Sequence, residues 1–176
     1  VKLGGGHAKG AAFERDVCRR LSLWVSGGKH TDLFWRSSLS GGRATVAHKR
    51  GGLVRQAGDI CAVVPEGHAL TDRIFLECKH VRSLDLESFL LRDKGVLAGF
   101  WRTAVQEAAK YEREPLIIAR QNRCKDIIVF RQASLQAIVP TFTGTYILSS
   151  KLGQGAVEIR MFEDLLAVPF TGGKST

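Results

Sequence analysis

The chain has 176 residues, 44% hydrophobic and 24% charged, the balance of a soluble globular protein with one core and no need of disulfide staples. Its formal net charge of +9 points to a polyanionic partner. No apolar run is long enough to span a bilayer and there is no secretory h-region, so a membrane partner is not expected.

In chain order, residues 11–25 read as a helix, because Phe13, Val17, Leu21 and Trp24 recur at three- and four-residue steps; Gly27 and Gly28 end it. Residues 33–38 (Leu33, Phe34, Trp35 and Arg36) look like a strand. Residues 40–58 follow as a long glycine-rich segment carrying Arg43, His48, Lys49, Arg50 and Arg55 and no acid. Residues 1–58 hold eleven lysines or arginines against three acids, so nearly all the excess charge sits there, as expected of a binding face. Asp59–Val64 reads as a short apolar strand stopped by Pro65 and Gly67, and Arg73–Lys79 as a second strand pairing with it in a hairpin.

Residues 86–112 are helical by pattern, with breaks expected at Gly95 and Gly99. Leu116–Ala119 and Ile127–Phe130 are strands around a polar turn, 132–138 is a short helix, and Tyr146–Leu148 with Val157–Ile159 could form a hairpin. The order suggests a single α/β domain over 1–176, with a core at about 9–140 and an extension at 141–176. Trp24, Trp35 and Trp101 fall at stripe or strand positions and are expected in the core. The four cysteines have no close pair, so zinc is not expected, and a reduced cytoplasmic setting is. None of the five histidines is assigned as a ligand.

The strand Arg73–Lys79 carries the chemistry. Alternation places Phe75, Glu77 and Lys79 on one face, so a carboxylate and an ammonium point the same way at its end. Asp59, on the adjoining strand, can approach Glu77. Two carboxylates together repel unless a cation is shared, and Mg²⁺ accepts such a pair while keeping waters and phosphate oxygens. Read singly, Glu77-Cys78-Lys79 is more often a solvated cross-strand ion pair than a catalytic site, and Asp59 is often just a turn residue. Their conjunction with a basic loop and an upstream helix suits metal-assisted phosphodiester hydrolysis.

With Lys9-Gly10, Phe13-Glu14-Arg15, Arg36, Ser40-Gly41, Gly58-Asp59-Ile60 and Glu77-Cys78-Lys79, the chain resembles the PD-(D/E)XK nucleases, and within them the Holliday-junction resolvases of the archaeal and phage kind. That resemblance implies a restriction-endonuclease-like core, a mixed β-sheet flanked by helices, with the first helix on one side and the long helical region on the other. It implies that Asp59, Glu77 and the backbone carbonyl of Cys78 hold Mg²⁺, with Mn²⁺ able to substitute, and that Lys79 is the catalytic lysine. Glu14 would sit near the metal, though an exposed first-turn acid is the other reading. Gln106 would face the site from the later helix, with a surface glutamine as the alternative.

Lys9, Arg15, Arg36, Ser40, Arg43, Lys49, Arg50, Arg55, Arg120 and Arg123 are the candidates for gripping DNA, by phosphate contacts that position without reading sequence. A four-way junction is the substrate and a homodimer the assembly that the resemblance implies. The rival functions are a restriction, repair or processing nuclease on duplex or ends, and a catalytically silent DNA-binding module. The segment 40–58 is longer than the resemblance leads one to expect, and the segment past Pro140 has no clear counterpart in it.

Overall fold

The computed structural model describes residues 5–37, 57–136, 138–140, 142, 148–150 and 156–172. Helix α1 (Gly5–Val25) buries Phe13, Val17, Cys18, Leu21 and Trp24, the predicted stripe. It begins six residues earlier than the periodicity indicates, because Ala8, Ala11 and Ala12 propagate a helix without adding to an apolar stripe. It ends where the amides of Gly28 and Gly27 close on the carbonyls of Leu23 and Trp24.

Strand β1 (Phe34–Arg36) pairs antiparallel with β2 (Ile60–Ala62), Trp35 opposite Cys61. The expected hairpin between β2 and the next strand is not what forms. Pro65 opens a helix, α2 (Pro65–Thr71), instead of a turn, since its missing amide and fixed φ suit a first helical position. Gly67 lies so close beneath β1 and β2 that a Cβ there would meet Ala62 Cβ at 2.8 Å and Phe34 Cε1 at 3.0 Å.

Strand β3 (Ile74–Val81) runs parallel to β4 (Glu114–Gln121) over eight residue pairs. Between them lie α3 (Leu86–Arg92) and α4 (Gly95–Ala109), a crossover helix pair of the kind that parallel strands require. The break falls at Asp93 and Lys94, just ahead of Gly95, while Gly99 stays inside α4. Strand β5 (Asp126–Arg131) returns antiparallel to β4 and is followed by α5 (Gln132–Gln136). Strands β6 (Leu148–Ser150) and β7 (Val157–Met161) pair antiparallel, and α6 (Phe162–Ala167) closes the fold. The sheet order is β3-β4-β5-β7-β6, so β7, from beyond Pro140, completes the sheet beside β5.

Alternation along these strands builds a core on each face. Leu116, Ile118, Ile128 and Phe130 pack with Phe13, Val17 and Leu21 of α1 and with Phe162 and Leu165 of α6. Ile117, Ala119, Ile127 and Val129 pack with Leu97, Ala98, Trp101 and Ala104 of α4. The result is a mixed sheet between helical layers, a restriction-endonuclease-like architecture, with α1, α5 and α6 on one side and α3 and α4 on the other, so the last two helices join α1 instead of the long helical region. Strand β3 lies at one edge of this sheet. That edge positions the site.

Candidate active site

Along the outer edge of β3 the chain returns through Gly58 and Asp59. The Asp59 amide donates to the Leu76 carbonyl at 2.8 Å, and the Cys78 amide donates to Asp59 Oδ2 at 2.9 Å. Ser37 N–H donates to the Asp59 carbonyl at 2.8 Å, which ties the end of β1 to the same point. Only glycine fits ahead of it. Gly58 has φ +83, and a Cβ there would stand 2.5 Å from the Leu76 carbonyl oxygen. In a strand one residue's amide and carbonyl point to the same edge, so the Cys78 carbonyl opens beside Asp59 as well.

From β3 itself come Glu77 and Lys79, two residues apart on one face and joined as an ion pair, both largely buried. Lys79 Nζ also lies 5.4 Å from the ring centre of Phe100 on α4. From α1 comes Glu14, ion-paired with Arg36 of β1. Because α1 starts at Gly5, Glu14 lies in its third turn, too far along for the helix dipole to explain it.

The electrostatics follow from this crowding. Burial first, then the charge of Glu77, pushes the Asp59 carboxyl up from 3.8 to about 6, against the Cys78 amide and Lys79; Glu14 adds to the rise. Burial pulls the Lys79 ammonium down, but Glu77 and Asp59 outweigh it and leave Lys79 raised. The buried Cys78 thiol is pushed well above its ordinary value, chiefly by desolvation, so it stays protonated and inert as a nucleophile.

Asp59, Glu77 and the Cys78 carbonyl are the oxygen donors that could hold a metal at this edge. Among the described residues no three His, Cys, Asp or Glu side chains are grouped to hold a metal ion. No closed protein cage is built among the described residues. Two carboxylates, one partly desolvated and resisting ionisation beside the other, suit a hard divalent cation that keeps most of its ligands as water and phosphate oxygen.

The remaining predicted residues are placed as follows. Gln106 is exposed on α4, half a turn away from the buried stripe of Leu97, Trp101, Ala104 and Ala108, and is not brought to the carboxylates; Phe100 occupies the approach to Lys79. Lys9 and Arg15 are exposed on α1. Arg120 is held by Asp126 at 2.6 and 2.7 Å and by Asp16 at 3.0 Å, and lies over Phe13. Arg20 joins the same cluster, 2.6 Å from Asp126 and 3.2 Å from Glu163. These arginines brace α1 against β4, β5 and α6. Arg123 is exposed in the β4–β5 turn with φ 65. Ser40, Arg43, Lys49, Arg50 and Arg55 lie outside the described residues.

Two features escape the sequence reading. Trp35, expected in the core, is 63% exposed: with Phe34 buried, strand alternation sends its neighbour outward, and that signal was present. The contact of Phe100 with Lys79 had no sequence signal, since an aromatic in an apolar helix reads as core.

A family model described as "Phage putative PDDEXK endonuclease" matches residues 5–163. The chain belongs to this family. No curated protein and no solved structure matches it. The site of this PDDEXK endonuclease is thus framed by the same elements that the family model spans, from α1 through β7. Membership in a nuclease family implies DNA as the substrate. No helix among the described residues is long and apolar enough to cross a membrane.

Proposed function

We propose that this endonuclease hydrolyses DNA phosphodiester bonds with Mg²⁺, or Mn²⁺ in its place, held by Asp59, Glu77 and the Cys78 carbonyl. The observation that carries the reading is the pinning of Asp59 to the free edge of β3, against Glu77 and Lys79. When bound, the metal supplies Lewis acidity toward the phosphate and toward a water. The chain's own residues do the rest. The Cys78 amide fixes the Asp59 carboxylate in one orientation. Glu77 holds Lys79 protonated, and that ammonium stabilises the negative charge growing on the phosphate or orients the attacking water. The Arg36–Glu14 pair borders the carboxylates and sets the charge balance beside them.

The substrate we propose is branched DNA, a four-way junction foremost, in recombination or repair, cut by a cytoplasmic homodimer that serves two strands. Support comes from the resemblance of the motif set and from the positive charge concentrated before Asp59, which suits backbone recognition. The test compares a four-way junction, the matching duplex and a single strand in Mg²⁺, with light scattering for the assembly. Paired symmetric nicks in the junction alone, made by a dimer, are expected. Equal cutting of all three would remove junction selectivity, and a monomer in the active complex would remove the dimer.

A further inference from the structure

A pocket of about 310 Å³ lies between α1 and β1, within the range of roughly 300–1,000 Å³ typical of small-ligand sites. Cys18 and Phe34, both buried, give it an apolar floor. Arg15 and Arg19, one helical turn apart on α1, bring two guanidinium groups to it, and Trp35 of β1 lines it while 63% exposed. Thr31 and Asp32 add groups able to bond a base edge. Arg36 also lines the pocket and is paired with Glu14, so the pocket adjoins the carboxylate site. Arg15 has no ion-pair partner among the described residues, and Arg19 reaches only Asp16, at 4.0 Å with 58% of its side chain exposed.

A flat exposed aromatic, a pair of guanidinium groups, an apolar floor and polar edge groups form the set that recognises a nucleotide: stacking for the base, charge for the phosphate. We infer that this pocket takes one unpaired nucleotide of the strand flanking the cut, its base against Trp35 and its phosphates against Arg15 and Arg19. The inference rests on the DNA-cutting reading and narrows it, because a nucleotide can leave the stack cheaply only beside a branch, a mismatch or a single strand. A free nucleotide has the same chemistry, so the test must separate the two sources.

Trp24 and Trp101 are 8% and 1% exposed, which leaves Trp35 as the tryptophan whose emission reports an added base. In EDTA, where nothing is cut, the protein is titrated with a thymidine tetranucleotide, an abasic phosphodiester of equal length, and thymidine monophosphate. Affinity is followed in parallel by anisotropy of labelled oligomer. The tetranucleotide quenches emission, while Trp35→Phe abolishes the quench. The abasic strand binds about tenfold more weakly, Arg15→Ala with Arg19→Ala loses about tenfold or more, and the monophosphate is weaker still. A quench that survives Trp35→Phe, an abasic strand that binds equally well, or an unchanged affinity in the double arginine variant would each overturn the inference. A monophosphate that binds as tightly as the strand would make this a free-nucleotide site and overturn it too. Quenching without any Mg²⁺-dependent cutting would sink the nuclease reading and leave the pocket standing; cutting without quenching would do the reverse.

Discussion

At Asp59 the fold sets a carboxylate against desolvation and against the charge of Glu77, raising its proton affinity from an ordinary 3.8 to about 6. The folded protein therefore keeps a proton that the unfolded chain releases near pH 4, and loses stability as pH rises from about 4 to about 6. Asp59→Asn removes that titration while retaining an oxygen for the Cys78 amide. Without metal, the variant should match wild type near pH 4 and gain at most about 3 kcal/mol at pH 8, read from urea midpoints. A loss at pH 8 would show that the carboxylate is not strained in this way. Lys79 belongs to the same scale. In the proposed mechanism its ammonium supplies charge where the phosphate gains it, so Lys79→Ala should lower the single-turnover cleavage rate by about 10²–10³-fold while DNA affinity stays near wild type. Equal losses of binding and rate would make it a phosphate anchor instead.

Among the elements, the approach of residues 57–59 to β3 decides whether a site exists. Gly58→Ala places a methyl group against the Leu76 carbonyl at a backbone angle that L residues avoid, so Asp59 must move. Cleavage should fall by at least about tenfold and stability by about 1–3 kcal/mol. Gly27→Ala is the control, with φ +61 but open space, and should cost about 1 kcal/mol with normal cleavage. Identical behaviour of the two variants would separate Gly58 from the chemistry. The brace on the opposite face makes a second prediction. Asp126 is 3% exposed and pairs with Arg20 and Arg120, which outweigh its burial and hold its carboxyl below the ordinary value. Asp126→Ala removes the shared partner but leaves Arg120 with Asp16 and Arg20 with Glu163, and should destabilise by about 1–3 kcal/mol in urea melts near pH 7. A change below about 1 kcal/mol would show that the brace is ornamental.

How far the sequence reached is also seen element by element. The α1 stripe, the strands β3, β4 and β5, and the sharing of one face by Glu77 and Lys79 were legible because period 3.6 and period 2 are local properties. The partner of β2 was not. Pro65 and Gly67 serve a turn or a helix start equally well, and only the packing of Gly67 under Phe34 decides between them. The place of β7 beside β5 was likewise hidden, since a long-range pairing leaves no trace in either strand alone. Arg120 looked like a phosphate contact because the chain cannot show Asp16 and Asp126 converging on it from distant positions.

For the molecule as a whole, the sheet separates two jobs. Its interior strands hold the two cores together, and its β3 edge carries the proposed chemistry, beside the α1–β1 pocket and next in sequence to the basic segment before Asp59. Binding should accordingly weaken steeply with salt whatever the DNA sequence, while cutting depends on a few residues at one edge. The most direct measurement is the nicking of supercoiled plasmid by the intact protein, with Mg²⁺ and with EDTA, beside Asp59→Asn and Lys79→Ala prepared in parallel. The proposed site predicts nicking by wild type in Mg²⁺, none in EDTA, none detectable from Asp59→Asn, and nicking slowed about 10²–10³-fold in Lys79→Ala. Cutting that persists in EDTA, or in the Asp59→Asn protein, would place the chemistry elsewhere and contradict the account.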